Sequence, residues 1–112
     1  GEGELTERQL DMVEFMDDYV DAWQRGDGEA LVAMYTPSGR FVSMGTTYRV
    51  DDGSLADLIN GDDWSSLNSY EPYLVRGNEM LSFHSFPGGI YMNSFKFTGD
   101  GELLLLRHTV TD

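Results

Sequence analysis

The chain has 112 residues, with 20 acidic against 7 basic side chains and a net charge of −13. That length fits one domain with one core, and a composition of 40% hydrophobic and 24% charged residues is that of a folded chain, not a disordered one. The negative field repels phosphate backbones and anionic bilayers, which excludes nucleic acid and membrane surfaces as partners; no apolar run is long enough to span a bilayer, and the lack of cysteine rules out disulfides and thiolate chemistry and fits a reducing, cytoplasmic setting.

The domain is expected to occupy 1–112, with 1–5 as a flexible tail. The first element runs from Thr6 to Arg25. Thr6 and Gln9 have capping-box spacing. Leu10, Val13, Met16, Val20 and Trp23 recur at three and four residues, and Met12, Phe15 and Tyr19 widen that stripe. Glu7, Asp11, Glu14, Asp17, Asp18 and Asp21 fall largely elsewhere on the wheel. Ten of the 20 acids lie within the first 29 residues, so much of the excess charge coats this helix as a solvated face.

Gly26 ends the helix, and Asp27 is placed to cap a second one over Gly28–Tyr35. Pro37 and Gly39 stop it. Phe41–Met44 and Thr47–Val50 read as short strands around Gly45. Ser54 is placed to cap a third helix, Leu55–Asn60, and Gly61–Ser66 is an acidic loop. The remainder reads as a meander of strands at Tyr73–Arg76, Glu79–Phe86, Ile90–Thr98 and Glu102–Thr111. Its turns are Gly77-Asn78, Pro87-Gly88-Gly89 and Gly99-Asp100-Gly101. Helices first and strands afterwards make the class α+β, with helices on one face of an antiparallel sheet.

The stretch YVDAWQRGDGEALVAMY, Tyr19 to Tyr35, resembles the opening of the nuclear-transport-factor-2-like superfamily. There a long helix, a Gly-Asp break and a short apolar helix recur. The final SFKFTGDGELLLLRHTVTD resembles the last hairpin of SnoaL-like polyketide cyclases and ketosteroid isomerases, so the likeness covers nearly the whole chain. It implies a cystatin-like α+β fold: a strongly curved antiparallel sheet wrapped around three N-terminal helices, as a cone with an apolar pocket. It also implies a homodimer through the outer sheet face.

Ketosteroid-isomerase-like sites use a carboxylate to move a proton, and a buried tyrosine with a second acid to hold the developing oxyanion. By this resemblance Tyr19 takes the place of the tyrosine and Asn93 that of the second acid. Ser43 stands where the proton-transfer carboxylate belongs. Serine has no useful basicity near neutral pH, so this departure argues against isomerase chemistry. Two histidines, His84 and His108, are the candidate acid–base groups. Strand alternation puts His84 with Met80, Ser82 and Phe86, and puts His108 with Leu104 and Leu106.

The expected pocket lining is Tyr19, Trp23, Phe41, Ser43, Asn93, Phe95 and Phe97. No metal or cofactor is expected, since neither histidine has a second one at ligand spacing. Asp51-Asp52 and Asp62-Asp63 read as solvated loop acids, and the glycine turns do not precede helices as a phosphate cradle requires. Three functions follow. The first is binding of a small apolar, carbonyl-bearing molecule. The second is an isomerase, cyclase or dehydratase using His108 or His84 with Tyr19 and Asn93 as donors. The third is a homodimeric structural or interaction domain.

Overall fold

A computed structural model describes residues 4–86 and 89–112, with side chains described for all of these outside 69–72 and 84–86. Three helices, α1 (Glu7–Arg25), α2 (Gly28–Val32) and α3 (Ser54–Asn60), accompany six strands. The strands are β1 (Tyr35–Ser43), β2 (Thr46–Arg49), β3 (Asn68–Arg76), β4 (Glu79–Phe86), β5 (Gly89–Phe97) and β6 (Leu105–Thr111). They form one sheet in the order β2-β1-β6-β5-β4-β3. Among the described residues no helix is long and apolar enough to cross a membrane.

Helix α1 begins as its sequence requires. The Thr6 hydroxyl accepts from the Gln9 amide at 3.1 Å and the Gln9 side chain accepts from the Thr6 amide at 2.9 Å. Gly26 closes the helix in the left-handed region, at φ 66°. The buried stripe is Met12, Met16, Tyr19, Ala22 and Trp23. It is rotated from the expected one, and Leu10 is half-exposed at 51%. Phe15 meets Phe97 edge-on at 5.2 Å, and Tyr19 meets Phe95 edge-on at 5.9 Å, so α1 runs along β5 over the inner face of the sheet.

Helix α2 is shorter than expected. It stops at Val32, and Tyr35 opens β1 instead of closing the helix. Ser54 does not cap α3. Gly53 takes the cap position with φ 79°, while the Ser54 hydroxyl accepts from the Arg49 amide at 2.7 Å. Met44 and Gly45 both have positive φ, 45° and 91°, which makes a tight primed turn between β1 and β2. The expected turn at Pro87-Gly88-Gly89 lies partly outside the described residues.

The sheet is not wholly antiparallel: β1 pairs with β6 in parallel. Two irregularities on these strands set the site. Along β6, Leu105 pairs with Phe97 and Arg107 with Lys96, so Leu106 is an extra residue. Such a bulge reverses the in–out alternation. Leu105 and His108 are both buried, at 0% and 3% exposure, while Leu104 and Leu106 are half-buried. The expected sharing of a face by His108, Leu104 and Leu106 therefore fails at the bulge.

The second irregularity lies on β1, where Tyr35 pairs with Leu105 but Arg40 pairs with Arg107. Thr36–Gly39 loop out between these two registers. Gly39 is needed there because a Cβ would stand 2.8 Å from Tyr35 Cδ2 and 3.0 Å from the Thr36 carbonyl oxygen. The loop thus closes over the Tyr35 ring and holds it inward, buried at 4% exposure.

Candidate functional site

The inner ends of α1, β1, β5 and β6 bring four polar side chains together in an otherwise apolar core. Tyr19 comes from the middle of α1, Tyr35 from the start of β1, Asn93 from β5 and His108 from β6. His108 pairs across the sheet with Phe41 on one side and Phe95 on the other. Its ring stacks on Phe95 at a centroid distance of 4.2 Å and lies 4.8 Å from Phe41. Both rings hold the imidazole in plane.

The hydrogen bonds form a chain. Asn93 Nδ2 donates to the Tyr91 carbonyl at 2.9 Å, which orients the amide and turns Oδ1 toward His108. Oδ1 is 2.5 Å from His108 Nε2 and can only accept, so Nε2 carries the proton. In the neutral ring Nδ1 is then an acceptor, and the Tyr19 hydroxyl donates to it at 2.8 Å. The Tyr35 hydroxyl donates in turn to the Tyr19 oxygen at 2.5 Å. Every proton along Tyr35, Tyr19, His108 and Asn93 points the same way. Burial pushes the Tyr19 phenol well above its ordinary range, and its hydrogen bond with Tyr35 offsets only part of that. Burial also raises Tyr35, reinforced by the neighbouring Tyr19 oxygen.

Beside this chain lies a cavity of about 220 Å³. Its walls are Trp23, Phe41, Met44, Tyr48, Leu58, Trp64, Leu67, Tyr91 and Val110, and its polar groups are Ser43, Asn93 and His108. The loop after α3 covers one side. Trp64 meets Trp23 edge-on at 5.0 Å and donates its indole N–H to the Leu58 carbonyl at 3.3 Å. Gln24 of α1 donates to the Leu67 carbonyl at 2.7 Å and ties the same loop down. Trp23 Nε1 is buried, and its N–H lies toward the Tyr19 oxygen, where it offsets a little of the rise that burial gives that phenol.

Of the residues expected in the pocket, Trp23, Phe41, Ser43 and Asn93 line this cavity. Tyr19, Phe95 and Phe97 do not. They are fully buried behind it, because successive inward residues of β5 step along α1: Phe97 lies against Phe15, Phe95 against Tyr19, and Asn93 and Tyr91 reach the cavity. Tyr19 touches the site through His108. The side chain of His84 is outside the described residues. Among the described residues no group of three histidines or carboxylates is arranged to hold a metal ion.

Tyr35 is the participant that sequence reading placed in a helix. The Pro37 and Gly39 that read as helix stops are the signal of its bulge. Tyr48, Trp64 and Tyr91 lie in a short strand, a loop and a strand end, where periodicity carries little information.

No protein-family model matches the chain, and no curated protein matches it in sequence. Solved structures do. A protein of unknown function with a cystatin-like fold from Nostoc punctiforme superposes with a TM-score of 0.76 at 14% identity, over 96% of this chain and 92% of that one. A nuclear-transport-factor-2-like protein with a cystatin-like fold from Novosphingobium aromaticivorans gives 0.66 at 19% identity, over 98% and 90%. A SnoaL-like protein of unknown function from Burkholderia thailandensis gives 0.69 at 12% identity, over 88% and 90%. The chain has the nuclear-transport-factor-2-like, cystatin-like fold, in line with the resemblance read from its sequence.

Proposed function

We propose that this domain binds a small, largely apolar molecule bearing a hydrogen-bond acceptor such as a carbonyl. The observation that carries this reading is the aromatic cavity of about 220 Å³ beside a polar chain whose acceptors are already used. His108 Nδ1 and Asn93 Oδ1 both accept within the protein. What remains toward the cavity includes donors: the second Asn93 amide hydrogen and the Ser43 hydroxyl. Donors without partners on apolar walls select an acceptor. A dry cavity of roughly 150 Å³ takes one benzene, so this one suits a single ring with a short substituent.

The test compares acetophenone with ethylbenzene, which has the same ring and a similar length but no carbonyl. Acetophenone is expected to raise the unfolding temperature, by mass action, more than ethylbenzene does. Asn93→Leu should abolish the difference while leaving the smaller hydrocarbon effect. No shift with any monocyclic carbonyl compound at millimolar concentration would remove the reading.

An isomerase, cyclase or dehydratase is the second reading, favoured by the presence of His108 at the cavity wall. For His108 to move a substrate proton, Asn93 or Tyr19 must first release one ring nitrogen. Among the described residues the lining includes no carboxylate, and Ser43 stands where the family resemblance puts one. Turnover of a β,γ-unsaturated ketone that is lost in His108→Gln would favour this reading over binding alone.

A further inference from the structure

The outer face of the sheet carries a row of charge that the cavity does not use. The cross-strand pairings Arg49–Arg40, Arg40–Arg107, Lys96–Arg107, Glu79–Lys96 and Arg76–Glu79 join into one line through all six strands. Directly paired residues lie on the same face. Their chain neighbours Phe41, His108, Phe95 and Met80 are buried, so the row faces outward. Five of the chain's 7 basic residues stand in it, with Glu79 as the one acid.

Arg49 is neutralised by Asp51 at 2.8 Å. Arg40, Arg76, Lys96 and Arg107 are in no ion pair or side-chain hydrogen bond among the described residues. Like charges side by side across strands destabilise a sheet. A chain of net charge −13 has ample acids to intersperse, yet Arg40, Arg107 and Lys96 stand side by side, with Glu79 between Lys96 and Arg76. Beside the row lies an uncharged one, Thr47, Val42, Thr109, Ser94, Leu81 and Leu74.

The opposite surface of the molecule carries the complement. Glu7, Asp11, Glu14, Asp18 and Asp21 are all exposed and recur at four, three, four and three residues along α1. That spacing is one continuous stripe on a helix. Fourteen steps at about 1.5 Å each make it roughly 21 Å long. Five strand spacings at about 4.8 Å make the basic row roughly 24 Å long. Leu10, half-exposed, flanks the acidic stripe as the Leu81 and Leu74 row flanks the basic one.

We propose that the basic row of one copy receives the acidic stripe of helix α1 of a second copy, giving head-to-tail self-association. The two surfaces match in sign, length and apolar flank. Face-to-face pairing of two sheets, the mode the family resemblance implies, offers the row, among the described residues in it, Glu79 as its one counter-charge. A sheet-to-helix contact is heterologous, so it extends from copy to copy instead of closing on a dimer.

Sedimentation velocity on the whole chain tests this across protein concentration and salt. Screening shortens from about 30 Å at 0.01 M to about 3 Å at 1 M ionic strength. Wild type is expected to form concentration-dependent larger species at low salt, weakened at least tenfold by high salt. The double reversal Lys96→Glu with Arg107→Glu should be monomeric, as should Glu14→Lys with Asp18→Lys. Mixing the two should restore association. If either reversal fails to fold by circular dichroism, Lys96→Ala with Arg107→Ala and the salt series on wild type carry the same test. A wild type that is monomeric at low salt overturns the proposal. So does association that survives both reversals and is lost instead in Leu81→Ser with Phe83→Ser, which would assign the contact to apolar sheet pairing.

Discussion

The Tyr19 hydroxyl stands 2.8 Å from His108 Nδ1, joining residues 89 positions apart, and it links the Tyr35 hydroxyl to the imidazole. Removing it orphans a donor on one side and an acceptor on the other. Removing Tyr35 orphans neither, since Tyr19 keeps its acceptor. Tyr19→Phe should therefore cost about 2–5 kcal/mol and Tyr35→Phe about 1 kcal/mol. Adding Tyr35→Phe to Tyr19→Phe should cost nothing further or recover stability, because it removes the orphaned donor. Urea midpoints of the two single variants and the double variant check the order and the non-additivity. Equal single effects that add would contradict the directed chain.

The same two phenols set an alkaline limit. Burial raises both above the unfolded value of about 10. A group with a raised folded pKa contributes stability in full below its unfolded value and loses it as pH climbs beyond that value. Stability should therefore fall above about pH 10, and Tyr19→Phe with Tyr35→Phe should flatten that fall. In an ultraviolet titration at least two of the 6 tyrosines should ionise only as the fold is lost. Ionisation of all six with the fold intact would refute this.

Gly39→Ala tests the bulge that seats Tyr35. The added Cβ meets ring and backbone at 2.8–3.0 Å, and neither is the loose end of a flexible chain. A loss of about 1–3 kcal/mol is expected. The near-ultraviolet circular dichroism of the tyrosines should change with it. A neutral outcome would mean that the loop yields without moving Tyr35.

Ser43→Phe tests the cavity without touching the polar chain. Position 43 is half-buried and lines the space, so the new ring has room to occupy it. The variant should fold with a wild-type midpoint to within about 1 kcal/mol and should lose the thermal response to acetophenone. Retention of that response would place binding elsewhere.

Much of this arrangement is legible from the amino acids alone. Capping at Thr6, the break at Gly26-Asp27, the strand β4 and the α+β order follow from local chemistry that tertiary contacts do not override. Asn93, Ser43 and Phe41 fall at the cavity because simple alternation holds on β5 and β1 near them, and Trp23 because it lies on the buried stripe of α1. What the sequence hides is register. Leu106 is a leucine among four, and nothing local marks it as the extra residue that turns His108 inward beside Leu105. Pro37 and Gly39 announce a break but not that the chain resumes as the same strand. The expected antiparallel sheet missed the parallel β1–β6 pair for a related reason: a partner 70 residues away leaves no local trace.

That parallel pair also orders events in time. In the sheet order, strands β1 and β2 join the other strands through β6, which follows them all in the chain. Until it arrives, the β1–β2 hairpin has an open edge, and Tyr19 and Tyr35 have no imidazole to satisfy. Contacts of such long sequence separation form late and slow the whole process. A ribosome-tethered chain stalled before Leu105 should therefore remain protease-sensitive through β1 and β2, and the passage of seven residues should convert it, in one cooperative step, into the finished domain.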